Sequence, residues 1–320
     1  MIELPAGFLA MPRWWTEGAD WLRGLPAAVE QQCARWDLEI VGAIAHGSNA
    51  IVVPVSRGGD RFVLRMSPPG DEVVEQVWAL RWWAGRGMAL LYDADANTGA
   101  MLLERLSTPL TTRPVDEAVA VLGQLMRRLA VPAPDEARST EDIVRTRTPE
   151  LEPQWERLGR PFDAAILREA IRIAPHDQRS TITLNPNQIH SRTTVLPNPD
   201  QTHPIASPQP DGTHPPLAVN GDFHSDQVLA GTREDWLTVD PVLFKGDIEY
   251  DLGRVLWTRL DEMDNVVEYF DLAVHEAGLD RDRARDWVIW RTVDYWLWSL
   301  SAGLTEDPLR CARLTRSLLS

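Results

Sequence analysis

The sequence predicts an α+β fold in which an antiparallel sheet carrying one helix is followed by a mainly helical region. Two observations support this prediction. Short β-branched segments alternate with turn residues over the first hundred positions, and long apolar stripes of helical period begin after Pro114. The chain has 320 residues, 44% of them hydrophobic, which is enough for one large core or two smaller ones. We expect an N-terminal lobe at residues 1–106 and a C-terminal lobe at residues 107–320.

The N-terminal lobe is expected to start with a helix and to continue in the order strand, strand, helix, strand, strand. A Gly-rich turn at residues 57–60 separates the first two strands, and Gly85 ends the helix that follows them. The expected elements are helices at residues 17–36 and 71–84 and strands at residues 38–55, 61–66, 88–93 and 100–104. This order makes an antiparallel sheet that carries one helix.

Helices dominate the expected C-terminal lobe. Pro114 opens the first of them, and Val119, Leu122, Met126 and Leu129 form its apolar stripe. Further helices are expected at residues 141–158, 162–173 and from 249 onward, and short strands at residues 217–219, 227–229 and 236–239. This lobe therefore contains little sheet.

Residues 177–216 interrupt the helical pattern. They contain 8 of the chain's 24 prolines with many Thr, Asn and Gln, and they show almost no apolar periodicity. This composition predicts a poorly ordered insertion rather than a domain boundary. A loop of this length inside a compact lobe is either a functional lid or a dispensable excursion.

Charge and cysteine content argue against several classes of protein. The formal net charge is -15 and no cluster of Lys and Arg occurs, which disfavours a nucleic-acid partner and suits a cationic ligand better. Cys33 and Cys311 lie at opposite ends of the chain without a CxxC motif, so neither a disulfide framework nor a zinc site is indicated. No apolar stretch reaches the length of a membrane span. We expect a cytoplasmic protein without a membrane partner.

Two runs, at residues 217–229 and 236–241, share a pattern in which an apolar strand delivers an aspartate into a turn. Phosphoryl transfer requires a carboxylate that aligns the acceptor hydroxyl, and oxygen ligands that hold Mg²⁺ against the nucleotide phosphates. Asp222 and Asp240 are the candidates for these roles. Either turn by itself is also typical of an ordinary hairpin or strand exit. The two together, after a helical region, favour phosphoryl transfer.

The segment at residues 220–227, NGDFHSDQ, resembles the HGDxHxxN catalytic loop of aminoglycoside phosphotransferases, and VDP at 239–241 resembles the metal-binding aspartate motif that follows it. Within that superfamily the chain is most similar to the aminoglycoside/hydroxyurea resistance kinases, which include streptomycin 6-phosphotransferases. The similar runs include AMPRWW at 10–15, ALRWWAGRG at 79–87, LLERL at 102–106 and PVDEA at 114–118. The resemblance implies a two-lobed, protein-kinase-like fold that uses ATP and Mg²⁺.

The resemblance also implies that the N-terminal lobe binds the nucleotide. The turn at residues 46–49 would approach the phosphates through backbone N–H groups, and the segment at residues 104–106 would be the hinge that meets the adenine. Glu72 or Glu75 would lie on the helix facing the phosphate-binding strand, although both also suit a solvated helix face. The implied nucleotide-binding residues are Gly47, Ser48, Asn49, Arg65, Glu75, Glu104 and Leu106.

For the catalytic loop and the metal motif, the resemblance implies that Asp222 orients the acceptor hydroxyl and that Asp240 and Gln227 bind magnesium. Three residues depart from the family pattern: Arg65 replaces a lysine, Gln227 replaces an asparagine, and Asn220 replaces the first histidine of the loop. Arg keeps the charge with a different geometry, and Gln keeps the amide oxygen on a longer stem. These departures keep a second hypothesis open, a kinase-like protein that binds nucleotide or another ligand without turnover.

Acceptor recognition is expected in the C-terminal lobe, where Asp261, Glu262, Asp264 and Glu268 bring several carboxylates close together. Such a surface would favour a polycationic aminocyclitol or guanidinium compound, and an acidic, solvated helix face has the same composition. Asp251 is expected to brace the catalytic loop. The predicted function is ATP-dependent O-phosphotransfer to a small molecule such as streptomycin, with hydroxyurea as an alternative acceptor. The oligomeric state stays open.

Overall fold

The computed structural model describes residues 2–11, 14, 18–174 and 216–320. The predicted insertion at residues 177–216 lies outside the described residues, apart from Pro216, and so does part of the run at 10–15. None of the helices in the described ranges is both long enough and apolar enough to span a membrane.

The strands of the described residues are short, in keeping with their turn-rich sequence. In chain order they are β1 (Glu39–Ile40), β2 (Ala45–His46), β3 (Ile51–Arg57), β4 (Asp60–Met66), β5 (Leu91–Asp95), β6 (Ala100–Glu104), β7 (Arg138–Ser139), β8 (Leu217–Asn220), β9 (Val228–Ala230), β10 (Trp236–Thr238) and β11 (Leu243–Gly246).

The helices include several of three turns or more. In chain order they are α1 (Ala6–Leu9), α2 (Ala19–Arg35), α3 (Asp71–Trp83), α4 (Val115–Leu129), α5 (Thr140–Arg157), α6 (Ala164–Arg172), α7 (Leu252–Trp257), α8 (Val266–Ala277), α9 (Arg281–Ser301) and α10 (Asp307–Leu319). Short 3₁₀ turns cover Leu110–Thr112, Ser225–Gln227, Ile248–Asp251 and Leu260–Glu262.

The chain forms two compact units, and each consists of two sequence segments. The first, called here the N-terminal unit, contains Met1–Thr112 and Asp226–Val242. The second, called the helical unit, contains Arg113–Ser225 and Leu243–Ser320. The sequence placed a single boundary at residues 106/107, whereas the structure returns a later segment to the first unit. The functional labels given to the two lobes stay predictions.

An antiparallel sheet of order β1-β3-β4-β6-β5, with β2 paired to β3, forms the centre of the N-terminal unit. Alternate residues of β3 and β4, such as Val53 and Leu64, are fully buried in one core with Leu25 and Val29 of α2. Because side chains alternate across a strand, Arg65 of β4 lies on the other face of the sheet. The predicted antiparallel sheet with its leading helix is confirmed.

The β9–β10 hairpin explains why residues 226–242 belong to the N-terminal unit. The Ser107 N–H donates to the carbonyl of Ala230 (2.9 Å), and the Ala230 N–H donates to the carbonyl of Thr108 (2.8 Å). On the other strand, the Ala89 N–H donates to the carbonyl of Thr238 (2.9 Å). The hairpin therefore extends the hydrogen bonding of the chain segments that flank β5 and β6.

The helical unit contains a small sheet of order β7-β11-β8, in which β11 runs parallel to β7 and antiparallel to β8. Lys245 of β11 is paired in register with Ala218 of β8, and its Nζ donates to the carbonyl of Asp135. Among the helices, Gly123 of α4 lets α8 approach closely, since a Cβ there would come within 2.9 Å of the Ala273 carbonyl. The sheet positions the catalytic-loop segment, because β8 leads directly into it.

Most predicted elements are observed within one or two residues of their expected ends. Helix α4 covers residues 115–129 as predicted, and α5 begins one residue before its expected start. The strands β7 and β11 were not predicted. β7 has only two residues, and the burial of β11 does not alternate, so neither carries a period-two pattern.

Candidate active site

The predicted catalytic loop follows β8, and its residues 220, 221, 223 and 225 are buried. Asn220, Phe223 and Ser225 are at most 2% exposed, and the Phe223 N–H donates to the carbonyl of Asn220 (3.1 Å) in a tight turn. The side chain of Asp222 is 42% exposed. The loop thus presents the Asp222 carboxylate to solvent between buried neighbours, and Asp226 near its end is exposed as well.

Gly221 fits this loop because a side chain would not. A Cβ at this position would lie 2.2 Å from Cε2 of Phe244, which is on β11. Arg291 of α9 donates from Nη2 to the Gly221 carbonyl (2.6 Å), and its guanidinium lies 3.8 Å from the centroid of the Tyr250 ring. The glycine of the motif therefore lets the loop pack directly against the sheet and α9.

Replacing Gly221 by alanine is expected to destabilise the protein by about 1–3 kcal/mol, because the new methyl group overpacks against Phe244. The free energy of unfolding from urea titration measures this. Gly24→Ala on α2 is the matched control, since no atom lies within 4 Å of a Cβ there and alanine favours helix. Equal unfolding midpoints for Gly221→Ala and the wild type would contradict the expectation.

Asp222 is held by an arginine from α7. Arg254 approaches its Oδ1 with both Nε and Nη2, each at 2.9 Å. On the other side, Nε2 of His224 lies 3.8 Å from Oδ2. The carboxylate therefore has one oxygen fixed by a charged pair of hydrogen bonds, and its second oxygen faces the histidine.

Asp251 contacts the backbone at the start of the loop, in agreement with the bracing role expected from the sequence. The side chain is 4% exposed and accepts a hydrogen bond from the backbone of Asn220. Nη1 of Arg291 lies 3.8 Å from its Oδ1. Burial raises the pKa of Asp251 well above its usual range, and the nearby charge of Asp222 raises it further. The brace is therefore a buried acid attached to the first residue of the loop.

Two further carboxylates are buried next to this brace. Asp247 accepts from Nε1 of Trp287 (2.9 Å) and forms an ion pair with Arg283. Glu249 is fully buried, and its nearest cation is Nε of Arg283 at 3.9 Å. Burial, together with the charge of Asp247, raises the pKa of Glu249 to about 7. Glu249 therefore titrates near neutral pH.

This burial predicts that Glu249 makes the protein less stable as the pH rises. The pKa of Glu249 is about 7 in the folded state and 4.5 in the unfolded chain. The stabilising contribution of the protonated side chain is therefore fully present below pH 4.5 and is lost as the pH rises through 7. The loss is on the order of 3 kcal/mol. Urea unfolding of wild type and Glu249→Gln across this range should show a flatter pH dependence for the variant. Glu152→Gln, on an exposed face of α5, should keep the wild-type slope.

The N-terminal unit presents Arg65 with all three guanidinium nitrogens engaged. Nε lies 2.9 Å from Oδ1 of Asp240, Nη1 donates to Oγ of Ser67 (3.1 Å), and Nη2 donates to Oδ1 of Asn49 (3.3 Å). The Arg65 side chain is only 4% exposed, and Asp240 is 40% exposed. The residue at the expected phosphate-binding position is thus bonded directly to the expected metal ligand.

The predicted phosphate turn connects β2 and β3. The Gly47 N–H donates to the carbonyl of Ala50 (2.8 Å), and Gly47 and Ser48 are exposed. Asn49 links Arg65 to α3, because its Nδ2 donates to Oε2 of Glu72 (3.4 Å). Of the two candidate glutamates, Glu72 therefore makes the contact to this turn. Glu75 lies exposed on the same helix, and its role stays a prediction.

Asp240 and Gln227 lie at the same open end of the β9–β10 hairpin. The Val239 N–H donates to the carbonyl of Gln227 (2.8 Å), so Asp240 follows directly after the residue paired with Gln227. Asp240 has a left-handed backbone, with φ of 50°, a conformation that is uncommon for residues other than glycine and that concentrates at functional sites. No cluster of three or more His, Cys, Asp or Glu that would hold a metal ion occurs among the described residues.

An arginine that the sequence analysis did not single out contacts the predicted hinge segment. Arg233, in the β9–β10 turn, donates to Oε2 of Glu104 (3.1 Å) and to the carbonyls of Gly85 (2.6 Å) and Met88 (2.9 Å). The Glu104 side chain is therefore used structurally. The residues that the structure describes make no hydrogen bond to the backbone of Leu106, which is compatible with the predicted contact to a purine.

The candidate acceptor residues are partly neutralised within the helical unit. Nη2 of Arg310 lies 2.5 Å from Oδ2 of Asp261, and Arg259 forms a bidentate pair with Glu262 at 2.7 and 2.5 Å. Hydrogen bonds from Arg259 lower the pKa of Glu262. Asp264 is exposed and has no ion pair in the described part of the chain. Within the described residues, Asp264 and Glu268 are therefore the two carboxylates of the predicted acidic surface without an arginine partner.

Comparison with known proteins supports the same chemistry. A family model for aminoglycoside/hydroxyurea antibiotic resistance kinases matches residues 35–149 and 214–303. The chain is 32% identical over 307 residues to a streptomycin 6-kinase of Streptomyces griseus. This alignment covers 90% of this chain and 87% of that protein. The chain is 29% identical over 334 residues to a hydroxyurea phosphotransferase of Kitasatospora aureofaciens, covering 100% of this chain and 86% of that protein.

A solved structure shows the same fold. It is a thermostable mutant of the aminoglycoside phosphotransferase APH(4)-Ia in a ternary complex with ADP and hygromycin B, with a TM-score of 0.55 and 16% identity. The match covers 90% of this chain and 97% of that one. The α+β, protein-kinase-like fold is confirmed. The chain belongs to the aminoglycoside/hydroxyurea antibiotic resistance kinase family and is a small-molecule phosphotransferase.

Proposed function

We propose that this enzyme transfers the γ-phosphoryl group of ATP to a hydroxyl of a cationic small molecule of the streptomycin type. The observation that carries the proposal is the presentation of Asp222, whose carboxylate is 42% exposed between the buried neighbours Gly221 and Phe223. The streptomycin 6-kinase of Streptomyces griseus supports the acceptor, and the ADP complex of APH(4)-Ia supports the nucleotide.

In this proposal Asp222 accepts a hydrogen bond from the acceptor hydroxyl and orients its oxygen. A bond forms between that oxygen and the γ-phosphorus while the bond from the γ-phosphorus to the β,γ-bridging oxygen breaks. The hydroxyl proton passes to Asp222 and ADP leaves. Because the transition state is loose, the main contribution of the protein is positioning and electrostatic stabilisation rather than strong basicity.

The N-terminal unit supplies the groups that suit the phosphates and their metal. The donor set of Asp240 and Gln227, one carboxylate and one amide oxygen at one hairpin end, fits a hard cation that keeps phosphate and water ligands. Mg²⁺ bound there would neutralise charge on the phosphates. Arg65 and the backbone of the turn at residues 47–49 would contact the phosphate oxygens. That Asp222 and Asp240 converge on one nucleotide remains part of the proposal, as does a cytoplasmic location.

We expect a cationic acceptor to bind the acidic surface partly by displacing arginines that are now paired with its carboxylates. Asp264 is open to a cationic group, whereas Asp261 and Glu262 would have to give up Arg310 and Arg259 to bind one. A streptomycin-like acceptor carries guanidinium groups that make the same bidentate contacts with carboxylates.

A radiolabelled-ATP assay with the purified chain tests the proposal. Transfer to streptomycin is expected, and it should be slower by about 10²-fold or more in an Asp222→Asn control. Hydroxyurea is the second acceptor to test, because the relative from Kitasatospora aureofaciens is a hydroxyurea phosphotransferase. Transfer to hydroxyurea alone would move the acceptor to that class. Binding of Mg-ATP without transfer to any hydroxyl compound would favour the hypothesis of a protein without turnover.

A further inference from the structure

Arg254 contacts the predicted catalytic aspartate although it lies outside the family motifs. It belongs to α7, 32 residues after the aspartate it contacts, and outside the catalytic-loop and metal motifs. Both Nε and Nη2 approach Oδ1 of Asp222 at 2.9 Å. Two donors of one planar group on one oxygen fix the direction of the carboxylate as well as its position.

The guanidinium of Arg254 is itself held in place. Its central carbon lies 5.5 Å from the centroid of the Trp257 ring, a cation–π distance. The guanidinium of Arg310 lies 5.3 Å from the same ring and is paired with Asp261. Trp257 therefore supports the arginine that contacts the catalytic aspartate.

Core packing does not account for this ion pair. The Arg254 side chain is 26% exposed and Asp222 is 42% exposed, so water can solvate either group if its partner is removed. Exposed ion pairs contribute little to folding stability. The geometric effect is larger, since a guanidinium held against Oδ1 restricts the rotation of the carboxylate.

We propose that Arg254 is a positioning residue that orients the carboxylate of Asp222 toward the acceptor hydroxyl. This inference rests on the proposed role of Asp222. Without the guanidinium, the carboxylate rotates and only part of the bound acceptor is aligned for attack. The rate of transfer should then fall without a change in nucleotide binding, because orientation acts on the chemical step.

The test compares kcat and the KM for ATP in Arg254→Ala with a matched control. Arg254→Ala should lower kcat by about 10²-fold and leave the KM for ATP unchanged. Added guanidinium ion should restore part of kcat, and sodium chloride at equal concentration should not. Arg254→Lys, which keeps one donor, should be intermediate. Arg145→Ala on α5 removes another arginine paired to an aspartate, Asp142, and should keep wild-type kcat and show no guanidinium effect.

A double-mutant cycle with Asp222→Asn separates positioning from a merely structural effect. If Arg254 acts through Asp222, adding Arg254→Ala to Asp222→Asn should not lower the residual rate further. A kcat for Arg254→Ala within a factor of about two of wild type, a raised kcat, or the same loss in both backgrounds would overturn the inference. If instead Asp222→Asn itself retains wild-type kcat, the proposed function fails, and that result is visible before Arg254 is considered.

Discussion

Asp222→Asn is expected to lower the kcat for phosphoryl transfer by about 10²–10⁴-fold while nucleotide binding stays intact. The amide keeps the shape of the side chain and can still accept from Arg254, but it cannot take the acceptor proton. Because Asp222 is 42% exposed, the change leaves no buried charge, and the fold should be retained. Single-turnover kinetics and calorimetric titration with Mg-ATP measure the two quantities separately.

A control is available in the same helical unit. Asp142 is also an exposed aspartate paired to an arginine, so Asp142→Asn should keep wild-type kcat. Near-normal turnover by Asp222→Asn would remove this carboxylate from its proposed role. Loss of Mg-ATP binding in the same variant would instead assign Asp222 to the nucleotide site.

Arg65→Met is expected to weaken Mg-ATP binding by about tenfold or more, since it removes a fixed positive charge from the proposed phosphate site. The Arg65 side chain is 4% exposed, and its loss leaves Asp240, Ser67 and Asn49 without their arginine, so the variant should also be less stable than the wild type. Arg65→Lys should retain most of the affinity because the charge remains. The dissociation constant for Mg-ATP by calorimetry checks both variants.

The same experiment has a control on the same strand. Arg61 lies four residues earlier on β4 and is exposed, and Arg61→Met should bind Mg-ATP like the wild type. Unchanged affinity of Arg65→Met would show that Arg65 serves only to hold Asp240. In that case the strand would lack the phosphate contact that the family pattern implies.

The sequence predicted the elements whose signals are local. Helix α4 was found with its observed ends because Pro114 and a regular apolar stripe define it within fifteen residues. The sheet that carries the catalytic loop was missed, because β11 pairs with β7 and β8, which lie at distant positions in the sequence. The hairpin at residues 226–242 was predicted as part of the C-terminal lobe, because the segments it hydrogen-bonds to are distant in the sequence.

The site shows a similar division. The motif indicated Asp222, Asp240 and Gln227 as candidates, but the arginines that contact the predicted catalytic loop come from other elements. Arg254 and Arg291 lie 32 and 70 residues from the loop atoms they contact, and no spacing rule connects them. One available signal was overlooked: Arg259 stands three residues before Glu262, a spacing at which helical side chains pair.

The replacement of the family lysine by Arg65 reflects the composition of the whole chain. Of the 32 lysine and arginine residues, Lys245 is the only lysine. A chain that uses arginine almost everywhere will have arginine at the phosphate-binding position too. This substitution is therefore weak support for loss of activity, and the bonds from Arg65 to Asp240 and Asn49 show that its guanidinium is integrated into the site.

Lys245 has a practical consequence. It lies on β11 beside β8, the strand that leads into the catalytic loop. Amine-reactive dyes would attach only there and at the chain's terminal amine, giving a fluorophore near the loop without any engineered cysteine. Conversely, nucleotide probes that acylate the lysine expected at this position would leave Arg65 unmodified. Profiling methods based on lysine acylation would therefore overlook this enzyme even when it is fully active.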